Sequence, residues 1–275
     1  MYFKKRQCPN CETKYDEMSD YCPHCMARND ENLEFKKRHA MSFLPWGREL
    51  ALFLTGWIGL LGLQVIMTLF IPLFGSIDKV TSSMLINSLS YASLFLILFA
   101  IGTIPTWAYV RDIFSKFKIG WAYLFGAVGF IVLASMSFFS SFIIQLVRPG
   151  AGEGGNQTAI VELVKNFPLI SIFIIGIIGP ICEELTYRVG LFTLLRRVHP
   201  ALAYIVTALL FGLIHFDYGS QDLVLEFLYL PNYIFAGVCF SFLYEKKGFA
   251  TSTFAHVLNN LLSVCLIILT SSFGA

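Results

Sequence analysis

Three polar motifs interrupt apolar stretches in the C-terminal part of the chain. They are Glu183-Glu184-x-x-x-Arg188, Phe211-x-x-x-His215 and His256-x-x-x-Asn260. Ionisable side chains are costly to bury in hydrocarbon, so their presence in membrane segments indicates a function. A carboxylate that takes a proton from water, together with imidazole and carboxamide donors for an oxyanion, is suited to hydrolysis of an amide or ester.

The spacing within the first motif separates its two acids. Glu184 and Arg188 are four residues apart with the acid first, which favours an ion pair on one helix face. Glu183 has Tyr187 at the corresponding position and points about 100° away from Glu184. We therefore predict that Glu184 is a structural carboxylate and that Glu183 is free to act as a general base.

Depth along the helices favours one shared site. Counted from the basic loops, Glu183, His215 and Asn260 lie about 18–22 Å from the same edge of the membrane. His256 precedes Asn260 by one turn on the same helix face. A single histidine in a span is more often a buried hydrogen-bonding residue than a catalyst, but four groups at similar depth favour a catalytic role. Phe211 is expected to shape the wall beside His215.

The composition indicates a membrane protein. Of the 275 residues, 56% are hydrophobic and 14% are charged, which is too apolar for an ordinary soluble domain. A helix needs about 20 residues to cross the hydrocarbon core. We therefore predict an all-α polytopic bundle of about seven spans, the fifth of them short, at 50–74, 85–110, 119–147, 167–195, 201–216, 223–244 and 249–270. The glycine-rich stretch 150–157 is expected to be a flexible loop.

Basic residues predict the orientation. Lys and Arg concentrate in alternate loops, and such loops are cytoplasmic. The residues placed inside are Lys36, Lys37, Arg38, Arg48, Arg111, Lys116, Lys118, Arg196, Arg197, Lys246 and Lys247. We expect a multi-pass protein of the cell membrane with a cytoplasmic N-terminus and an outer C-terminus. The run 36–38 is expected to face anionic lipid headgroups of the bilayer.

Two cysteine pairs precede the first span. Their sequences are Cys8-Pro-Asn-Cys11 and Cys22-Pro-His-Cys25, and each pair can offer two thiolates to one tetrahedral zinc ion. A pair of disulfides is the alternative, but the cytosol keeps thiols reduced. We predict a zinc ribbon with a structural Zn²⁺. It offers a docking surface for a cytoplasmic protein, and it has no helix suited to a DNA groove, so no nucleic-acid partner is expected.

The chain is therefore divided into four parts. These are a zinc ribbon over 1–34, a basic linker over 35–49, N-terminal transmembrane helices over 50–166 and a catalytic helical core over 167–275. Together, the three motifs resemble in type and order the signature of the CPBP family, the CAAX-protease and bacteriocin-processing (Abi) group of intramembrane endopeptidases.

The resemblance implies a glutamate-dependent endopeptidase that acts on a membrane-associated peptide or protein. Glu183 would activate water with help from His215, and His256 and Asn260 would stabilise the oxyanion. Cleavage is expected near the cytoplasmic half of the bilayer.

Two alternatives remain open. In a zinc-dependent protease, Glu183, His215 and His256 would be the metal ligands. Asn260 is a poor zinc ligand and no HExxH motif is present, so no catalytic metal is expected. The other alternative is a non-proteolytic membrane scaffold, regulator or bacteriocin-immunity protein that keeps the motifs for structure.

Overall fold

The computed structural model describes residues 4–30, 39–103, 110–111 and 115–273. The predicted lipid-facing run 36–38 lies outside the described residues. The elements are the strands β1 (Lys5–Gln7) and β2 (Lys14–Asp16) and the helices α1 (Trp46–Phe74), α2 (Lys79–Thr103), α3 (Gly120–Val147), α4 (Gly155–Asn166), α5 (Pro168–Arg196), α6 (Pro200–Leu213), α7 (Leu223–Lys247) and α8 (Phe249–Phe273).

The predicted polytopic helix bundle is confirmed, with a change in the number of full-length spans. Within the described ranges, six helices are long and apolar enough to cross a membrane: α1, α2, α3, α5, α7 and α8. The predicted fifth span is α6, which has only 14 residues. Its rise of about 21 Å is shorter than the hydrocarbon core of about 30 Å. The chain continues beyond α6 without regular helix over 214–222.

Despite its short helix, the fifth segment runs from one end of the bundle to the other. At the ribbon end, Arg197 precedes α6. At the opposite end, Arg148 pairs with Asp222 at 2.7 Å, so α6 and the stretch 214–222 together complete a crossing. We call this opposite end the Arg148 end. The orientation of the two ends, with the ribbon end in the cytoplasm, stays a prediction.

The ribbon packs against the bundle through Arg197. The guanidinium is fully buried and donates to Asp16 Oδ2 of β2 at 2.6 Å, to both carboxylate oxygens of Glu49 at 2.6 and 2.8 Å, and to the Leu44 carbonyl at 2.6 Å. The Phe43 ring lies 5.0 Å from the guanidinium carbon. Arg197 was expected to be a loop cation; instead it joins the ribbon, α1 and the end of α5.

Small residues bring α1 and α5 into close contact. A Cβ at Gly56 would lie only 1.8 Å from the Thr186 hydroxyl, and one at Gly190 would lie 2.8 Å from the Phe53 backbone nitrogen. Membrane helices pack closely where such side chains are missing. These contacts fix α5, which carries the first polar motif, against α1.

The predicted loop 150–157 is only partly a loop. Helix α4 begins at Gly155, where the buried Glu226 carboxylate accepts the Gly155 N–H at 2.7 Å. A carboxylate at a helix N-terminus stabilises the unpaired N–H groups there. Since Glu226 is distant in sequence, the glycine-rich composition gave no indication of this helix start.

Candidate active site

Helix α5 departs from regular α-helical geometry on both sides of Glu183. It is π-helical over Ile174–Ile178 and again over Glu184–Phe192. Between these stretches lies Pro180, which has no N–H to donate to the preceding turn. π-Helical turns are rare and are frequent at functional sites. The local backbone therefore marks the region around Glu183 as a candidate site.

The two acids of the first motif face different surroundings. Glu183 lines a cavity of about 700 Å³, and its side chain is 16% exposed. Glu184 is fully buried, and its Oε1 lies 3.4 Å from Arg188 Nε. Helical spacing thus places one acid on the cavity and the other in the core. Charge compensation in the core leaves Glu183 the acid that can meet a substrate.

Aromatic faces hold the Arg188 side chain. Its guanidinium carbon lies 4.5 Å from the Phe211 ring centroid and 5.2 Å from that of Phe240. The guanidinium is fully buried, and none of the described residues accepts a hydrogen bond from its three nitrogens. Cation–π contacts of this kind are attractive when desolvated. Arg188 therefore acts on Glu184 through charge, and Phe211 supports Arg188 as well as the wall beside His215.

His256 lies between the two acids. Its Nδ1 is 2.9 Å from Glu184 Oε1, and its Nε2 is 3.5 Å from Glu183 Oε2. The imidazole stacks on Phe240 at 4.2 Å with an interplanar angle of 21°. An ionised carboxylate only accepts hydrogen bonds, so Nδ1 carries a proton and Nε2 faces Glu183. The buried acid thereby sets the orientation of the ring beside the cavity-facing acid.

His215 follows the end of α6. Its Nδ1 lies 2.8 Å from the Phe211 carbonyl oxygen, which can only accept, so the second ring nitrogen, Nε2, is left to bind water or substrate. The ring stacks on Tyr233 at 4.7 Å with an interplanar angle of 14°. His215 lines the same cavity as Glu183.

Asn260 completes the set of predicted residues. Its Nδ2 donates to the Ile175 carbonyl at 3.4 Å, in the first π-helical stretch of α5. It lines the cavity together with Glu183 and His215. His256 is only 3% exposed. It contacts these cavity-lining residues through Glu183, whose Oε2 lies 3.5 Å from His256 Nε2. The structure therefore brings all four predicted catalytic residues to one region of the bundle.

Three further residues support the site and were missed in the sequence. Ser252 Oγ lies 2.5 Å from Glu184 Oε2, and its spacing of four residues before His256 is a signal that could have identified it. Tyr233 stacks on His215, and Asn156 of α4 donates to the Tyr233 hydroxyl at 3.4 Å. Neither of these two belongs to a recognisable motif.

The site lies near the middle of the bundle, and its cavity extends towards the end away from the ribbon. Its cavity is lined by Asn156 of α4 and by Tyr218 of the stretch 214–222, both towards the Arg148 end. Glu183 is about 21 Å along α5 from Arg197. The expectation of cleavage near the cytoplasmic half of the bilayer stays a prediction.

The four N-terminal cysteines form a cluster that can hold a metal. Their sulfur atoms lie within 4.8 Å of one another, and all four are free thiols. Zinc–sulfur bonds of about 2.3 Å at tetrahedral angles require sulfur separations of about 3.8 Å. Two separations in the cluster are 3.5 and 3.6 Å. The donor set and its spacing fit one tetrahedral ion.

The two cysteine pairs have the same backbone turn. The Glu12 N–H donates to the Cys8 carbonyl at 2.9 Å, and the Met26 N–H donates to the Cys22 carbonyl at 3.0 Å. Glu12 and Met26 both have positive φ, at 58° and 59°. Each turn thus brings the two sulfurs of its pair to one side.

Local hydrogen bonds favour a thiolate in this cluster. Hydrogen bonding with the side chain and backbone of Thr13 lowers the pKa of Cys11 to about 5. Burial raises the pKa of Cys22 to about 11. A bound cation would favour the thiolate form of every ligand, because metal binding releases thiol protons.

The fold and the site define a polytopic membrane protein with a charged cluster beside a cavity in its helix bundle. Residues 165–262 match the profile of the Rce1-like family, described as type II CAAX prenyl endopeptidase Rce1-like. This segment contains all three polar motifs. The chain thus carries an Rce1-like domain of the CPBP type, and the resemblance inferred from the motifs is confirmed.

Named relatives agree with this family. A protein of Bacillus subtilis, named putative membrane peptidase YdiL, is 29% identical over 154 residues, covering 55% of this chain and 59% of the relative. The membrane-embedded CAAX protease MroQ of Staphylococcus aureus is 29% identical over 154 residues, covering 53% and 57%. An uncharacterized protein of Mycoplasma capricolum is 31% identical over 161 residues, covering 56% and 45%.

These matches are partial. The chain spans 45% to 59% of the length of these three relatives. No solved structure matches the chain significantly. The family and the named relatives support a membrane endopeptidase.

Proposed function

We propose that this protein is an intramembrane endopeptidase that hydrolyses a membrane-associated peptide or protein with Glu183 as general base. The observation that carries the proposal is the arrangement of Glu183, which faces the cavity while His256 connects it to the buried Glu184. One acid is available for chemistry, and the other orients the imidazole beside it.

In the proposed reaction, Glu183 takes a proton from water, and the hydroxide oxygen forms a bond to the peptide carbonyl carbon. His215 Nε2 holds the attacking water by accepting a hydrogen bond. The developing oxyanion accepts hydrogen bonds from Asn260 Nδ2 and His256 Nε2, which is the type of stabilisation that dominates acyl-transfer catalysis. Glu183 then gives its proton to the amide nitrogen as the C–N bond breaks, releasing an amine and a carboxylic acid.

The proposed reaction requires a particular charge state of the cluster. In this state His256 carries a proton on each nitrogen and donates towards both acids, so its charge and that of Arg188 cancel those of Glu183 and Glu184. A cluster with zero net charge costs less to keep in a bilayer than one with an excess charge. A doubly protonated His256 also has the Nε2–H that the oxyanion requires.

The cavity wall supports an apolar, membrane-associated substrate. Much of the wall away from Glu183 is apolar and comes from α1 and α2, including Trp57, Leu60 and Met84. One polar pair lies on that side, where Gln64 donates to Asn87 at 3.3 Å. Such a cavity suits a hydrophobic segment whose backbone amide is its polar part.

The metal-dependent alternative has less support from the donor positions. Among the described residues, the group of three or more His, Cys, Asp or Glu ligand atoms close enough for one metal ion is the cysteine cluster. One nitrogen of His256 already faces Glu184 at 2.9 Å. A glutamate base with imidazole and amide donors accounts for these contacts without a metal at Glu183.

The ribbon would hold one structural zinc ion through Cys8, Cys11, Cys22 and Cys25. Zinc-coordinated thiolates would join β1 and β2 to the second cysteine pair and so stabilise the surface that presents Asp16 to Arg197. Elemental analysis of the purified full chain should give about one zinc per chain. Replacement of all four cysteines by Ser should abolish it, and an unchanged zinc content would refute the assignment.

A comparison of membranes from cells that differ at one acid tests the proteolytic function. Cells with Glu183→Gln should accumulate an uncleaved membrane peptide that is processed in cells with the wild-type protein. Glu162→Gln serves as the control, since Glu162 is an exposed acid of α4, and it should leave processing unchanged. If Glu183→Gln preserves both the peptide pattern and the phenotype while loss of the ribbon cysteines does not, the protein is a scaffold instead.

A further inference from the structure

A second cavity adjoins the first one on the side of the Arg148 end. It has a volume of about 440 Å³ and shares Asn156, His215 and Asn260 with the cavity that contains Glu183. Exposed Glu153, in the loop before α4, lies on its wall. The second cavity therefore extends from the candidate catalytic residues to a solvent-facing loop.

Polar side chains line this cavity on three membrane-spanning helices. They are Ser137 and Ser141 on α3, Asn232 on α7, and Asn259 and Ser263 on α8. The serines on α3 are four residues apart, as are Asn259 and Ser263, so each pair follows one helix face. Ser137 of α3 donates to Asn232 of α7 at 3.2 Å on the wall of the cavity. Polar side chains from three helices thus line one space.

Such a space favours water over an apolar occupant. Polar groups within the membrane are tolerated where they line a water-filled cavity. A cavity holds ordered water when it is large enough and offers several hydrogen-bonding partners. This cavity has the volume and the polar side chains that ordered water needs. An acyl chain or apolar side chain placed there would leave these hydroxyl and amide groups without partners.

We propose that the second cavity is the water-entry route of the site, leading from the Arg148 end to Glu183 past Asn156, His215 and Asn260. The inference rests on the proposed hydrolytic function, because each peptide bond cleaved consumes one water molecule. Along this route, Asn156 lies at the junction of the two cavities. Its side chain donates to the Tyr233 hydroxyl there.

Two serines on α3 provide a matched test of water in the cavity. Ser137 faces the cavity, whereas Ser135 is exposed on the surface of the helix and donates to its own helix at the Ile131 carbonyl. Ser137→Cys and Ser135→Cys are compared in the full chain in lipid nanodiscs with a charged methanethiosulfonate reagent. Labelling is assigned by peptide mass spectrometry, which separates the new thiol from native cysteines.

Ser137→Cys should react at least about tenfold faster than Ser135→Cys, since a charged reagent enters water and avoids hydrocarbon. Equal rates, or an unreactive Ser137→Cys, would show a dry cavity and overturn the proposal. This readout needs no proteolysis, so it stands even if the proposed function fails.

A second measurement links the cavity to turnover. Ser137→Leu fills the route and should lower kcat by about tenfold or more with little change in KM, whereas Ser135→Leu should change neither. An accessible Ser137→Cys combined with an unchanged kcat for Ser137→Leu would show a wet cavity that does not supply the reaction, and would also overturn the proposal.

Discussion

Replacement of Arg197 by Met should be among the most destabilising single changes in the protein. The guanidinium is fully buried and donates four hydrogen bonds of 2.6 to 2.8 Å, three of them to the carboxylates of Glu49 and Asp16. Glu49 is itself fully buried. Loss of one partner of a buried ion pair costs about 3–5 kcal/mol, because the remaining charge is left uncompensated.

A double substitution separates this effect from a simple loss of packing. Arg197→Met combined with Glu49→Leu removes the more deeply buried of the two uncompensated carboxylates, Glu49 and Asp16, and should recover roughly half of the lost free energy of unfolding. The free energy is measured by SDS titration in mixed micelles with tryptophan fluorescence. Trp46 is a suitable reporter, since it lies at the docked ribbon, where its backbone N–H donates to Asp16 Oδ2 at 3.2 Å.

The exposed pair at the opposite end of the bundle is the control. Arg148 and Asp222 are each 39% exposed, so Arg148→Met should cost far less than Arg197→Met. If the two arginine variants unfold at the same SDS fraction, or if the double variant at Arg197 and Glu49 is no more stable than Arg197→Met alone, the buried network does not stabilise the docked ribbon.

Three further outcomes are expected. Gly56→Ala should lower the SDS midpoint because its methyl group overlaps Thr186, whereas Gly62→Ala, with open space around it, should leave the midpoint unchanged; equal effects would contradict the close packing of α1 on α5. Glu184→Gln should destabilise the bundle by about 3–5 kcal/mol in the same titration, since a buried arginine loses its countercharge, and an unaltered midpoint would exclude that role. A hydrogen bond from its arginine partner lowers the pKa of Asp222, so its stabilisation should be present above pH about 4 and lost as the pH falls further; a difference in Tm from Asp222→Asn that persists at lower pH would contradict this.

Local spacing predicts the interactions that stay within one helix. The interval of four residues indicates the contact between Glu184 and Arg188, and the helical period indicates that Glu183 faces elsewhere. Both features follow from helix geometry alone. Ser252 could have been found in the same way, because it lies one turn before His256 on α8.

Tertiary partners far apart in sequence account for what the sequence did not reveal. From the sequence alone, Arg197 is predicted to be a basic loop residue at the end of a span. Its partner Asp16 lies 181 residues earlier, so local spacing does not indicate the ion pair. The glycine-rich sequence around Gly155 predicts a loop. Helix α4 begins there because its first N–H donates to Glu226, 71 residues away in sequence. The sequence also does not predict where α6 ends, since the apolar run continues past its last helical residue, Leu213.

The role of Glu183 is tested by the turnover of a membrane peptide by the purified full chain in lipid, with and without Glu183→Gln. The amide has the size of the acid but cannot accept the proton from water, so kcat should fall by at least about 10²-fold while the SDS midpoint stays close to that of the wild-type protein. Cleavage at the wild-type rate by a folded Glu183→Gln variant would contradict the role of Glu183 as general base.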